Sequence, residues 1–142
     1  VLSLIDLIDF EKYNFIYKPH MLSDIRIDDA RIINMASEDF DIIFSGDYMI
    51  SDYSSIIYEA GLLNMPVFLY AYDWEDYKEK RTFNIDLERD IPTLFTSCPE
   101  KIINAIEKDE FDYEAYQKFI RKNVKISKKS SCSRIIDLVN IN

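Results

Sequence analysis

A helical pattern between two short apolar runs constrains the fold of this chain more than any other feature. Tyr48–Ser51 is a mostly apolar run between two aspartates, and Pro66–Tyr70 is a second apolar run that opens with proline. Residues 54–64 between them carry apolar side chains at helical spacing. Two strands that are joined by a helix pair in parallel, because the crossover returns the chain to the end of the sheet where it started. The sequence therefore predicts a parallel strand–helix–strand unit.

Strands and helices alternate along the rest of the chain. We expect further strands at residues 13–18, 31–35 and 93–96. Helical patterns cover residues 1–10, 37–46, 73–80, a segment opening with the capping box at Ser97-x-x-Glu100, 112–123, and a last segment from Ser130 or Ser131 to Asn140. Residues 81–92 are predicted to be irregular.

This alternation is typical of an α/β fold, a Rossmann-like parallel sheet with helices on both faces. We expect one domain over residues 1–142, with a helical tail over residues 111–142 that packs on it. A chain of 142 residues is long enough to bury a sizeable core.

Composition argues against several classes of protein. The chain has 17 basic and 26 acidic residues and a formal net charge of −9, which argues against a nucleic-acid partner. It has no apolar run of about 18 residues, so no membrane span is expected. It begins at Val1 without an initiator methionine or a signal-peptide pattern, and we therefore expect a piece of a longer chain or a processed chain.

The basic residues are concentrated near the end of the sequence. Residues 118–142 contain seven basic residues and one acidic residue, whereas residues 1–117 contain 25 acidic and 10 basic residues. Two interpretations stay open for this segment. It contacts an anionic partner, such as a polyphosphate, lipid headgroups or an acidic protein face, or it is a solvated helix face that offsets the acidic body.

The sequence carries no metal-ligating pattern. Cys98 and Cys132 are far apart, and neither has a second cysteine or a histidine at ligand spacing. The aspartates show no spacing that selects a cation. We therefore expect two reduced thiols, no metal and no cofactor.

The segment Asp52-Tyr53-Ser54-Ser55 stands where the predicted strand ends and the next helix begins. Ligands of parallel α/β sheets bind beyond the carboxyl ends of the strands, and a helix start offers free N–H groups to an anion. The hydroxyls of Ser54 and Ser55 add hydrogen-bond donors at the same place, which predicts a phosphate site. Ordinary helix capping by Asp52 or Ser54 is the alternative interpretation.

Two further residues are candidates for the same site. Glu59 follows Ser55 by four residues and so lies on the same helix face, where a carboxylate can accept the two hydroxyls of a ribose. His20 follows Pro19 at the end of the first predicted strand, from which it can donate to a phosphate or a developing oxyanion. A surface glutamate and a packing histidine are the ordinary alternatives.

These segments resemble the CDP-glycerol glycerophosphotransferases, the family of teichoic-acid primases and polymerases. The resemblance rests on Asp52-Tyr53-Ser54-Ser55 with Glu59 and Pro66, on Asp73-x-x-x-Tyr77-x-x-x-Arg81-x-Phe83, and on Lys18-Pro19-His20. It covers about residues 13–108. The glycine that the family has after the arginine is Thr82 here.

The resemblance implies a GT-B-type architecture, of which this chain is the carboxyl-terminal, nucleotide-binding half. It implies transfer of a polyol phosphate from CDP-glycerol or a related CDP-polyol donor, with release of CMP. The implied acceptor is a polyol-phosphate or lipid-linked polymer, teichoic-acid-like or capsular.

The resemblance also implies roles for individual residues. Ser54 and Ser55 hold the diphosphate, and Asp52 fixes their turn. His20 donates to the phosphate in the transition state, and Arg81 offsets the charge of the diphosphate.

Glu59 stands where the family has a carboxylate suited to the ribose hydroxyls. The acceptor half with its general base is expected upstream of this chain, so the chain alone is predicted to be inactive. The full-length protein is predicted to be cytoplasmic and peripheral on the inner face of the cell membrane.

Two other functions stay open. Residues Glu59 to Pro66 also fit the pattern E-A-x-x-x-[GN]-x-P of other GT-B-type glycosyltransferases and sugar-nucleotide epimerases. The third possibility is a regulatory or assembly domain that kept the fold without catalysis.

Overall fold

A three-stranded parallel sheet forms the centre of the structure. The structure is a computed structural model that describes residues 1–20, 23, 25–35, 40–82 and 84–139. Strands β3 (Met49–Ser51), β4 (Val67–Tyr70) and β5 (Phe95–Thr96) lie in the order β3-β4-β5. A second parallel pair joins β1 (Ile16–Tyr17) to β2 (Ile33–Asn34).

Helices connect and flank these strands. The described α-helices are α1 (Leu2–Ile5), α2 (Ile56–Leu62), α3 (Trp74–Lys80), α4 (Leu87–Asp90), α5 (Pro99–Glu107), α6 (Tyr113–Asn123) and α7 (Ser131–Val139). A 3-10 helix covers Phe40–Ser45. None of these described helices is long and apolar enough to cross a bilayer.

Strand β4 is buried on both faces, as its uninterrupted apolar sequence predicts. Val67 and Leu69 belong to a cluster that α2 and α6 cover. Phe68, which points to the opposite face because side chains alternate along a strand, packs with residues of α1 and α5. The prediction of an α/β fold with a parallel sheet and helices on both faces is therefore confirmed.

Helix α6 packs closely on α2 and hydrogen-bonds to its backbone. The Tyr116 hydroxyl donates to the Ile57 carbonyl at 2.6 Å, and the Gln117 amide donates to the Gly61 carbonyl at 2.7 Å. A Cβ atom on Gly61 would lie 2.2 Å from Cδ1 of Ile120. The absence of a side chain at Gly61 therefore allows this close approach.

Helix α7 differs from α6, since none of its described residues is buried. Ile135 is 60% exposed and Leu138 is 72% exposed. The Ser130 hydroxyl accepts a hydrogen bond from the Ser133 N–H at 3.2 Å, which fits the predicted cap. The single domain over residues 1–142 with a packed tail stays a prediction.

Three local predictions need comment. Residues 81–92 are not irregular throughout, because Asp86 caps α4 by accepting a hydrogen bond from the Arg89 N–H at 3.1 Å. The capping box at Ser97 is wrong: the helix begins at Pro99, where proline's fixed φ suits the first helical position, and Cys98 is the N-cap. The predicted start of a helix at Ser37 lies outside the described residues.

Candidate functional site

The carboxyl ends of the three central strands meet at one edge of the sheet. Ser51 is the register partner of Leu69, and Tyr70 is the partner of Thr96. Because all three strands are parallel, the segments that leave them emerge on the same side. Residues 52–55 and 71–73 are therefore neighbours at the edge where ligands of such sheets bind.

The turn at residues 52–55 is held by its own hydrogen bonds. The Asp52 carboxylate accepts from the Ser54 N–H at 3.1 Å, and the Ser54 hydroxyl accepts from the Ile56 N–H at 3.4 Å. Ser55 is the N-cap of α2, but its side chain makes no capping hydrogen bond. Both serines are exposed. The turn thus presents two serine side chains to solvent at the carboxyl edge of the sheet.

Tyr53 connects this turn to α3. Its hydroxyl donates to the Asp73 carboxylate at 2.9 Å, across 20 residues of sequence. Its ring centroid lies 4.4 Å from that of Tyr77 and 5.1 Å from that of Trp74. Burial raises the pKa of Tyr53, and the bond to Asp73 raises it further, so the hydroxyl stays protonated at neutral pH.

The first motif segment, residues 52–55, and the second, which begins at Asp73, are therefore in contact, although about 20 residues separate them in the sequence. The sequence predicted no functional role for Tyr53 or Asp73. Each of the two residues belongs to one of the family motifs, which was a signal, but the sequence alone could not show that one side chain bonds to the other.

Arg81 follows the last residue of α3. Its N–H donates to the Tyr77 carbonyl at 3.1 Å, so it lies one turn beyond the ring that packs on Tyr53. Its side chain is exposed, and no ion pair to it is present among the described residues. The structure thus places a guanidinium group at the end of α3 without a carboxylate partner from the described part of the chain.

The change from glycine to Thr82 is compatible with the local backbone. Asn64 and Asp109 are the non-glycine residues with positive φ in the described ranges, and Thr82 is not among them. Arg81 itself is extended, with φ of −133° and ψ of 144°. A threonine therefore fits after Arg81 without a conformation that only glycine favours.

Glu59 and His20 lie where the sequence predicts them, in α2 and after β1. Glu59 lies in the first turn of α2, four residues after Ser55, and is exposed. His20 lies three residues beyond the end of β1 and is exposed. Tyr17, the last residue of β1, raises the pKa of the Tyr72 hydroxyl, after burial and the carboxylates of Asp73 and Asp52.

An acidic cleft of about 460 Å³ lies next to the turn. Its lining includes Tyr72, Asp73, Trp74, Glu88 and Phe95. Carboxylates repel phosphate groups but accept hydrogen bonds from hydroxyl and amino groups, while aromatic side chains pack on flat rings. The cleft suits an uncharged, hydroxyl-bearing or amino-bearing part of a ligand better than a phosphate.

The described residues contain no group of three or more histidine, cysteine, aspartate or glutamate side chains placed to hold a metal ion. The predicted absence of a metal stays a prediction.

Comparison with known proteins identifies similar chains. The family model for CDP-glycerol:poly(glycerophosphate) glycerophosphotransferase matches residues 6–140. The teichoic acid ribitol-phosphate polymerase TarK of Staphylococcus aureus is 31% identical over 121 residues, which are 85% of this chain and 22% of that protein. The teichoic acid glycerol-phosphate primase of Bacillus subtilis is 30% identical over 100 residues, which are 70% of this chain and 26% of that protein.

A solved structure shares the fold. The wall teichoic acid polymerase TagF superposes with a TM-score of 0.69 at 19% identity, over 96% of this chain and 38% of that chain. The present chain thus spans about a quarter or less of the curated relatives described above and somewhat over a third of the solved structure.

Proposed function

The chain belongs to the CDP-glycerol:poly(glycerophosphate) glycerophosphotransferase family, and we propose that it is the nucleotide-donor-binding half of such an enzyme. The enzyme transfers a polyol phosphate from a CDP-linked donor to a growing teichoic-acid-like or capsular polymer and releases CMP. The observation that carries the proposal is the turn at residues 52–55, which presents two exposed serines at the carboxyl edge of a parallel sheet.

The reaction asks for charge stabilisation more than for covalent chemistry from the protein. An acceptor hydroxyl forms a new bond to the β-phosphorus of the donor, the bond from that phosphorus to the CMP oxygen breaks, and a base takes the proton of the hydroxyl. Catalysis of phosphoryl transfer depends mainly on positioning and on stabilising charge on the phosphate oxygens. In this proposal the serines of the turn supply hydrogen-bond donors, and side chains from other segments supply positive charge.

The residues around the turn divide these tasks. The hydroxyls of Ser54 and Ser55 donate to the diphosphate, while Asp52 keeps the turn in place by accepting from the Ser54 N–H. Arg81 is without an ion-pair partner in the described part of the chain and is therefore suited to offset the diphosphate charge. His20 donates to the phosphate that develops charge in the transition state.

Glu59 accepts the hydroxyls of the ribose. It is exposed and lies one helical turn from Ser55, so a ribose joined to the diphosphate is within reach of its carboxylate.

The general base and the acceptor site lie in the rest of the enzyme, in an amino-terminal half upstream of this chain. The full-length protein is cytoplasmic and peripheral on the inner face of the membrane, where a lipid-linked acceptor is accessible. The length of the relatives supports this division of labour, since the chain covers 22% of the ribitol-phosphate polymerase and 26% of the glycerol-phosphate primase.

The proposal is tested by calorimetric titration of the chain with CDP-glycerol, CDP, UDP and CMP. We expect binding of CDP-glycerol and CDP, with weaker binding of UDP. Tighter binding of UDP would favour another GT-B-type glycosyltransferase or an epimerase, and no binding of any of the four would favour a regulatory or assembly domain.

A further inference from the structure

The Tyr53 side chain is a physical link between the two motif segments of the site. Its hydroxyl donates to Asp73, the first residue of the second motif, and its ring packs against Tyr77, the next residue of that motif. The Phe95 ring of β5 also lies near the Tyr53 ring, with 6.4 Å between the two centroids. The side chain is thus held by contacts with α3 and β5, whereas its backbone belongs to the turn that carries the serines.

The Asp73 carboxylate does not make the hydrogen bond that is usual for an aspartate at the start of a helix. Asp73 is the N-cap residue of α3, where aspartate ordinarily accepts a hydrogen bond from the first turn of its own helix. No such capping bond is made, and the carboxylate accepts from Tyr53 instead. Helix α3 therefore lacks a stabilising side-chain cap, and the Asp73 carboxylate joins two segments instead.

We propose that Tyr53 and Asp73 form a positioning pair that holds the hydroxyls of Ser54 and Ser55 in register with α3. The proposal rests on the proposed function, because it assigns the pair a role in placing the diphosphate. Tyr53 precedes Ser54 directly, so fixing its side chain limits the motion of the turn. It also fixes the separation between the serines and Arg81, which follows Tyr77 by one helical turn.

A positioning pair of this kind affects affinity through geometry. Two hydroxyls and a guanidinium group must reach the same diphosphate. When the separation between these groups fluctuates, the binding free energy of the diphosphate becomes less favourable. The Asp52–Ser54 bond orders the turn locally but does not tie it to α3. The packing of the Tyr53 ring on α3 and the Tyr53–Asp73 bond supply that connection, and the bond fixes where the ring lies along α3.

The test compares variants of the intact chain by calorimetric titration with CDP and with CMP. Tyr53→Phe and Asp73→Ala remove the bond, and we expect each to weaken CDP binding by up to about tenfold, because the serines and Arg81 are then less well positioned for the diphosphate, with a smaller loss for CMP. Asp73→Asn keeps a side-chain oxygen that accepts from Tyr53, so its CDP affinity should stay near that of the parent. The double variant Tyr53→Phe/Asp73→Ala should lose no more than either single variant.

Tyr113→Phe is the matched control, because Tyr113 donates to Asp109 in a remote tyrosine–aspartate pair at 3.5 Å. It should bind CDP like the parent. Hydrogen exchange of residues 52–56 without ligand gives a second measurement, and it should be faster in Tyr53→Phe than in the parent and in Tyr113→Phe.

The outcomes separate this inference from the proposed function. Parental CDP affinity in Tyr53→Phe, or unchanged exchange at residues 52–56, overturns the positioning pair, while CDP binding by the parent keeps the proposed function. Equal losses for CDP and CMP overturn it as well, since they indicate a general structural role. Failure of the parent to bind either nucleotide overturns the proposed function, and the role of the pair in placing a diphosphate with it.

Discussion

The Asp52 carboxylate accepts a hydrogen bond from the Ser54 N–H at 3.1 Å, and this bond closes the turn from which α2 starts. The bond belongs to the motif itself, because an aspartate readily accepts from the N–H two residues ahead. Ser55 is the N-cap of α2, and its side chain makes no capping bond. The consequences for binding and stability can be separated by mutation.

We expect Ser55→Ala to weaken CDP binding about tenfold, because one hydrogen bond to a charged phosphate is lost. The free energy of unfolding should change little, since the Ser55 side chain makes no capping bond. Titration calorimetry and chemical denaturation measure the two quantities. Ser131→Ala, at an exposed serine that begins α7, is the control. Equal CDP affinity in Ser55→Ala and the parent would remove Ser55 from the site.

His20→Ala should reduce the affinity for CDP more than the affinity for CMP. The reason is that, in the proposed site, the imidazole contacts the second phosphate, a group that CMP lacks. Parallel titrations with the two nucleotides give the ratio. An identical loss for both would assign His20 to packing or to the nucleoside end of the ligand.

Gly61→Ala should destabilise the fold by about 1–3 kcal/mol, the usual cost of overpacking a core. The new methyl group would overlap Ile120, whose side chain is buried between α2 and α6. Gly46→Ala is the matched control, since its added Cβ would meet Met65 at an ordinary contact distance of 3.5 Å. Denaturant titration should separate the two variants, and equal stability of Gly61→Ala and Gly46→Ala would mean that α6 shifts freely on α2.

The pKa of Asp29 should lie near 2, well below its ordinary value of 3.8. The cause is the Arg31 guanidinium, which donates to this carboxylate at 2.6 Å. Because the folded-state pKa is depressed, this pair stabilises the fold above the ordinary pKa, and its contribution is lost as the pH falls toward 2. An NMR titration of the carboxyl carbon measures the pKa. In Arg31→Gln it should return toward 3.8, and an unchanged value would contradict the assignment.

The regular part of the fold followed from the sequence because the signals were strong and local. The apolar run at Val67–Tyr70 favours a buried strand, and a helix between it and the run at Tyr48–Ser51 favours parallel pairing. The residues of β3 in the run at Tyr48–Ser51 are only partly buried. Element ends were less predictable. Helix α5 begins at Pro99, with Cys98 rather than Ser97 as its N-cap. Asp86 caps helix α4 within residues 81–92, a segment that was predicted to be irregular.

The site was only partly predictable for a different reason. Asp52, Ser54 and Ser55 are neighbours in sequence, so their place at a strand end could be derived from periodicity. The Tyr53–Asp73 bond depends on how α3 lies against the turn, and that is a property of tertiary packing. Motif spacing grouped the residues without showing which side chains touch.

A crystal structure of the chain with CDP-glycerol tests the central claim most directly. The account predicts that the diphosphate lies within hydrogen-bond distance of the Ser54 and Ser55 hydroxyls, with the ribose toward Glu59. A diphosphate bound at any other part of the chain, with both hydroxyls still facing solvent, would contradict it.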